Sequence, residues 1–162
     1  MKIRTYKAQT KWLEGFKTET EIRKFKVDID EPLELKGTNT ASNPVEMLLA
    51  ALGGCVAVTY RAYARKFRIE IENLVVNLEG DMVHGGWTDK EGRERRGFKH
   101  IRYEVKIKTN APEEEVLQLH KLAKEKCSVT DVLINPTEVN GSVNIDQLTN
   151  SPIDRLKIGI TR

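Results

Sequence analysis

From Met47 to Val58 the chain reads Met-Leu-Leu-Ala-Ala-Leu-Gly-Gly-Cys-Val-Ala-Val, without one charged or amide side chain. A helix start stands just before it. Asn43 can cap, Pro44 fits the first helical position, and Glu46 follows three residues after the cap, as in a capping box. A helix apolar on every face must be buried on every face. Polar residues return only after Thr59, with Arg61, Arg65 and Lys66 at the end where positive charge suits the helix dipole. One small sheet and one further helix cannot cover such an element, so a second subunit is expected to complete its burial. Gly53 and Gly54 each cost about 1 kcal/mol relative to alanine in a helix interior. That cost is offset by a close approach: tight helix–helix packing, cleared space beside Cys55, or both.

The remaining pattern sets the fold class. Phe16, Thr18, Thr20 and Ile22 alternate with polar neighbours, as do Phe25, Val27 and Ile29. The phase changes near Arg23-Lys24, which predicts a bulge or tight turn there. Strands resume at Leu74, Val76 and Leu78, and again at Ile101, Tyr103, Val105 and Ile107. The glycines and charges between Gly85 and Gly97 read as a long, solvated hairpin tip. A second helix begins near Asn110 with Pro112 and Glu113-Glu114-Glu115, and carries Val116, Leu119, Ala123 and Cys127 at helical spacing. Asn135-Pro136 ends a short helical turn, a last strand is expected around Val139 to Ile145, and a polar tail follows. Strands, buried helix, hairpin, amphipathic helix and strand make one α+β domain over residues 1–162, its helices on one side of antiparallel sheet.

Composition narrows the function. Twenty-seven basic and 24 acidic residues are scattered along the chain, a balance too mixed for a nucleic-acid face. The opening residues lack the apolar core of a secretory signal, and the run 47–58 is too short to cross a bilayer. A cytoplasmic protein, partnered with neither nucleic acid nor membrane, is expected. The two cysteines, Cys55 and Cys127, lie 72 positions apart, and neither has a ligand-spaced Cys or His that would make a metal site. Such a pair is either two buried structural thiols or a redox couple.

Asn43-Pro44-Val45-Glu46-Met47-Leu48-Leu49-Ala50-Ala51-Leu52-Gly53-Gly54-Cys55 resembles the first signature of the OsmC/Ohr family, the osmotically induced and organic-hydroperoxide-resistance proteins. Cys127, in Leu122-Ala123-Lys124-Glu125-Lys126-Cys127-Ser128-Val129-Thr130, falls where that family places its other cysteine. The resemblance implies an intertwined homodimer whose antiparallel sheets wrap central buried helices, with the cysteines facing each other near the subunit interface. It also implies thiol-dependent reduction of organic hydroperoxides without a cofactor, Cys55 peroxidatic and Cys127 resolving. Three positions depart from the family pattern. Ser128 stands where proline usually follows the second cysteine. Lys17 is the nearest match to the arginine of the peroxidase branch. Val45 holds the place of that branch's glutamate, which here is shifted to Glu46. The shifted pattern resembles the OsmC-like branch.

The chemistry sets its own demands. Only a thiolate attacks an O–O bond, and burial pushes a thiol's pKa the wrong way. Cys55 lies about three turns into its helix, too deep for the dipole to help. A cation must then come from elsewhere, Lys17 being the candidate, with Glu46 either anchoring it or merely capping its own helix. Glu46 and Cys55 point to roughly opposite faces. Attack leaves a sulfenic acid that condenses with Cys127, and an external dithiol restores both thiols. The alternative is a non-catalytic protein of the same fold that binds an apolar ligand at the dimer interface.

Overall fold

A computed structural model describes residues 2–135 and 137–145; the polar tail expected at the end lies outside them. The chain opens with an antiparallel meander of β1 (Gln9–Glu14), β2 (Lys17–Ile22) and β3 (Phe25–Ile29). Ile22 pairs directly with Phe25, and Arg23 turns the chain at φ 59°, so the phase change in the sequence is a tight turn. The bulge lies one strand earlier, between Trp12 and Glu14. At the end of β3, buried Asp30 accepts hydrogen bonds from the backbone N–H of Glu31, Thr38 and Thr40 and from both threonine hydroxyls. These bonds fold residues 31–42 into a compact loop, including a 3-10 turn at Leu33–Leu35, that delivers the chain to the next helix.

That helix, α1 (Pro44–Tyr63), starts as its sequence dictates. The Asn43 side chain accepts from Glu46 N–H and the Glu46 carboxylate accepts from Asn43 N–H. A 3-10 turn extends it to Phe67, and Arg68 ends it at φ 57°. The continuous span Pro44–Phe67 is therefore long and apolar enough to cross a membrane by length and composition, beyond the shorter run read from sequence. One stripe of it packs into the core. Leu52, Val56, Tyr60 and Ala64, spaced every fourth residue, are buried.

They meet two partners. One is the hairpin of β4 (Asn73–Asp81) and β7 (His100–Lys108), whose paired residues Leu74–Ile107, Val76–Val105 and Leu78–Tyr103 face the helix. The other is α2 (Glu113–Lys126), which contributes buried Leu119 and Ala123. Gly53 lies against Leu78, where an added Cβ would stand 2.7 Å from the leucine methyl, so the close approach is helix to sheet rather than helix to helix. Gly54 meets open space and shares an exposed face with Ala50, Ala51 and Val58. One chain thus covers α1 on one side only, because a two-stranded sheet and a single helix span about half of a helix circumference.

The tip between β4 and β7 is more ordered than a bare loop. β5 (Trp87–Thr88) pairs with β6 (Glu94–Arg95), and Asp89 accepts from the N–H groups of Glu91 and Arg93 and from Arg93 Nε. α2 begins at Glu113 rather than near Asn110, because Pro112 holds an extended backbone (ψ 143°) ahead of the acidic first turn. After α2 the chain turns into α3 (Ser128–Ile134). The strand expected over Val139 to Ile145 does not form in the described chain. These residues pair with no strand, and Val139, Val143 and Ile145 are exposed. Alternation supplies a strand's face but not its partner, and every described sheet edge is left unpaired by this segment.

Candidate functional site

The two cysteines meet at the centre of the fold. Cys55 sits on the flank of the buried α1 stripe, one turn after Leu52 and beside Val56, and is half-buried. Cys127 is 1% exposed. It is at once the C-cap of α2 and the N-cap of α3, with an extended backbone (φ −75°, ψ 109°) that breaks the two helices apart. This break sets the first turn of α3, with Val129 and Thr130, beside the Cys127 side chain. Burial pushes the Cys127 thiol up, but its polar neighbours Thr130, Cys55 and Val129 outweigh it and hold the thiol below its ordinary value. Thr130 Oγ1 is buried beside the sulfur and has no hydrogen-bond partner among the described residues.

A belt of polar side chains flanks the sulfurs. The buried Tyr60 hydroxyl hydrogen-bonds His120 Nδ1, α1 to α2. Burial, reinforced by neighbouring Tyr103, pushes Tyr60 up to about 12, so its proton stays on. Burial raises Tyr103 as well, and a charge on Cys127 adds to that, which ties β7 electrostatically to the thiol pair. Tyr60, Tyr103, His120 and Thr130 were not singled out as site residues from sequence. Thr130 carried a legible signal, a hydroxyl three residues after a cysteine at a helix boundary. The two tyrosines and the histidine carried none, since each reads as one position in a periodic core stripe.

The proposed supporting residues lie elsewhere in the chain. Glu46 spends its carboxylate on the capping box at the start of α1. Lys17 pairs with Asp28 across β2 and β3 at 3.8 Å, in a sheet that is not part of the packing around α1. Neither is brought to a sulfur within the described chain. Among the described residues, no three His, Cys, Asp or Glu side chains converge as metal ligands. Next to the thiols opens a cavity of about 740 Å³ between α1, α2, α3 and β7. Leu52 and Thr130 line it and connect it to the neighbourhood of Cys55 and Cys127 respectively.

Residues 37–141 match the OsmC family model, described as OsmC-like protein. A 99-residue stretch, 60% of this chain, is 31% identical to the uncharacterized protein YmaD of Bacillus subtilis and spans 61% of that relative's length. Among solved structures, the OsmC-like protein of Mycoplasma pneumoniae superposes with a TM-score of 0.70 at 20% identity, over 81% of this chain and 88% of the other. An organic hydroperoxide resistance protein OsmC from Legionella pneumophila gives 0.61 at 22% identity, over 82% and 91%. A structure from Vibrio cholerae, titled a putative organic hydroperoxide resistance protein with captopril bound in one of its active sites, gives 0.59 at 17% identity, over 82% and 86%.

Proposed function

Since this chain belongs to the OsmC-like family, we propose that it reduces organic hydroperoxides by a two-cysteine cycle. The observation that carries the reading is the juxtaposition of its only two cysteines. They are remote in sequence, yet Cys55 lies beside a Cys127 sulfur whose surroundings favour the thiolate.

Exposure divides the labour. Cys55 is half-buried and within reach of a substrate, whereas Cys127 is sealed. Cys127 thiolate draws the proton from the Cys55 thiol, and the Cys55 sulfur attacks the outer oxygen of the hydroperoxide. The O–O bond breaks, the alkoxide takes a proton from solvent water and leaves as alcohol, and Cys55 becomes a sulfenic acid. Cys127 sulfur then displaces hydroxide from that sulfenic acid, which departs as water with the remaining thiol proton and leaves a Cys55–Cys127 disulfide. An external dithiol reduces the disulfide by two exchanges and is itself oxidised. In this scheme the thiolate partner does part of what a cation at Cys55 would do, so neither Lys17 nor Glu46 need touch the sulfur in the same chain. A homodimer would cover the exposed Ala50–Ala51–Gly54–Val58 face and could bring the Lys17 sheet of one chain to the thiols of the other. A cytoplasmic setting would keep the dithiol supply available.

The test is steady-state turnover of cumene hydroperoxide coupled to a dithiol. Turnover that disappears in Cys55→Ser and stalls after one equivalent in Cys127→Ser supports the cycle. A folded, fully reduced protein that consumes no hydroperoxide overturns it. The cavity supports a second reading, a binding protein without catalysis, which predicts ligand affinity unchanged by Cys55→Ala.

A further inference from the structure

The alkoxide that leaves Cys55 is the strongest base formed in the cycle, and the cavity beside the thiols is lined by several proton donors. Acid strength and engagement separate them. Arginine keeps its proton in any protein, and both cavity arginines are paired, Arg95 with Asp89 and Arg102 with Glu79 and Asp81. Lys99, His100 and Lys124 are exposed to solvent. Thr130 is an aliphatic alcohol, no stronger an acid than the alcohol product. The buried Tyr60 hydroxyl has His120 Nδ1 as its partner, and its proton would be left without an acceptor unless Nδ1 accepts it. The ring then keeps its own proton on Nε2, and such an N–H is a far weaker acid than a phenol.

Tyr103 remains, and packing on two sides fixes its place. It pairs directly with Leu78 across the β4–β7 hairpin, and Leu78 lies against Gly53 of α1. Directly opposed residues on one face of an antiparallel pair stand about 5 Å apart, so Tyr103 faces α1 at the level of the turn that carries Cys55. On its other side the phenol lies near enough to Cys127 to feel a charge there. Its ring is half-buried and lines the cavity, and its hydroxyl makes no hydrogen bond among the described residues. Burial and that charge keep the phenol protonated until a stronger base forms beside it.

We propose that Tyr103 is a catalytic acid, its hydroxyl meeting the leaving oxygen of the hydroperoxide and giving it a proton as the O–O bond breaks. The proposal rests on the peroxidase reading and adds one residue to it. The Cys55 sulfur gives an electron pair to the outer oxygen and is oxidised to the sulfenic acid. The O–O pair goes to the leaving oxygen, which takes the Tyr103 proton and departs as alcohol. Water then reprotonates the tyrosinate, so the net proton still comes from solvent. Cys127 by then holds the Cys55 proton, and the transient tyrosinate faces a neutral thiol rather than a second negative charge.

Single-turnover kinetics of the reduced full-length chain test this with two oxidants. Cumene hydroperoxide expels an alkoxide that needs a proton, whereas perbenzoic acid expels a carboxylate that does not. Tyr103→Phe should slow cumene hydroperoxide about 100-fold and perbenzoic acid by less than about threefold. Alkylation of Cys55 by iodoacetamide, which breaks no O–O bond, should keep its wild-type rate. Equal slowing of both oxidants, slowing of alkylation to the same extent, or full activity of the variant toward cumene hydroperoxide each overturn the proposal. Should Tyr103→Phe not fold, the wild type carries the test: heavy water should slow cumene hydroperoxide more than perbenzoic acid, and an equal effect on the two overturns the role. A wild type that reduces no hydroperoxide removes the cycle together with its acid. A wild type that reduces cumene hydroperoxide no faster than Tyr103→Phe removes the acid and keeps the cycle.

Discussion

One equivalent of cumene hydroperoxide added to the reduced protein should join Cys55 to Cys127 within the same chain, and the consequence for stability can be worked out from their positions. The bond closes a loop of 72 residues, which removes chain entropy worth about 4 kcal/mol at 25 °C from the unfolded state. For a chain of this length each kcal/mol moves the melting temperature by about 2–4 °C, so oxidation should raise it by about 10 °C. Little of this should be lost to strain, because the two thiols are already neighbours in the reduced fold. Differential scanning calorimetry on reduced and oxidised samples measures the shift. Intact mass spectrometry confirms the loss of two hydrogens, and a non-reducing gel confirms that the link is internal. Cys55→Ser and Cys127→Ser should show no shift. A mass gain of oxygen without cross-linking, a link between chains, or a rise below about 2 °C would refute the geometry on which the redox reading stands.

Thr130→Val removes the polar hydroxyl beside the Cys127 sulfur and should move its pKa back up. The thiolate's contribution to folding exists above the unfolded thiol value and fades as pH falls through the depressed folded value, so the variant should lose stability mainly in alkaline buffer; ultraviolet thiolate titration reads the pKa directly. Tyr60→Phe leaves His120 Nδ1 without its partner and should cost about 1–2 kcal/mol in urea unfolding. Wild-type stability should also decline as pH climbs from about 10 toward 12, the window between the unfolded and raised folded values of Tyr60, and the variant should lose part of that slope. The donors around Asp30 depress its pKa, so its contribution is complete above the ordinary carboxylate value and drains as pH falls through the depressed one; Asp30→Asn should be less stable at neutral pH and lose less on acidification, by acid titration of circular dichroism. Leu119→Ala, fully buried between α1 and α2, should cost about 3–5 kcal/mol.

Local chemistry made much of the chain legible. Asn43, Pro44 and Glu46 specify where α1 starts, because a capping box is completed within four residues and needs no tertiary partner. The alternation in β4 and β7 specifies their buried faces for the same reason, since a strand's two sides are set by its own pleat. Failures came where a structure needs something from outside the segment. Val139 to Ile145 alternate correctly but pair with no strand among the described residues, and the described chain covers the all-round apolar α1 on one side.

At the site, sequence alone supplied the two cysteines and a family pattern around the first. Tertiary structure decided what surrounds them. It brought thiols 72 residues apart together, set Thr130 and Val129 beside Cys127, and left Lys17 in a separate sheet and Glu46 at the start of its helix. The Tyr60–His120 bond and the cationic cavity also belong to the fold, being made by side chains from elements far apart in sequence. Periodicity fixes which side of an element is buried. Only the packing of elements against one another fixes which side chain a buried polar group will meet, and that meeting sets its pKa and its chemistry.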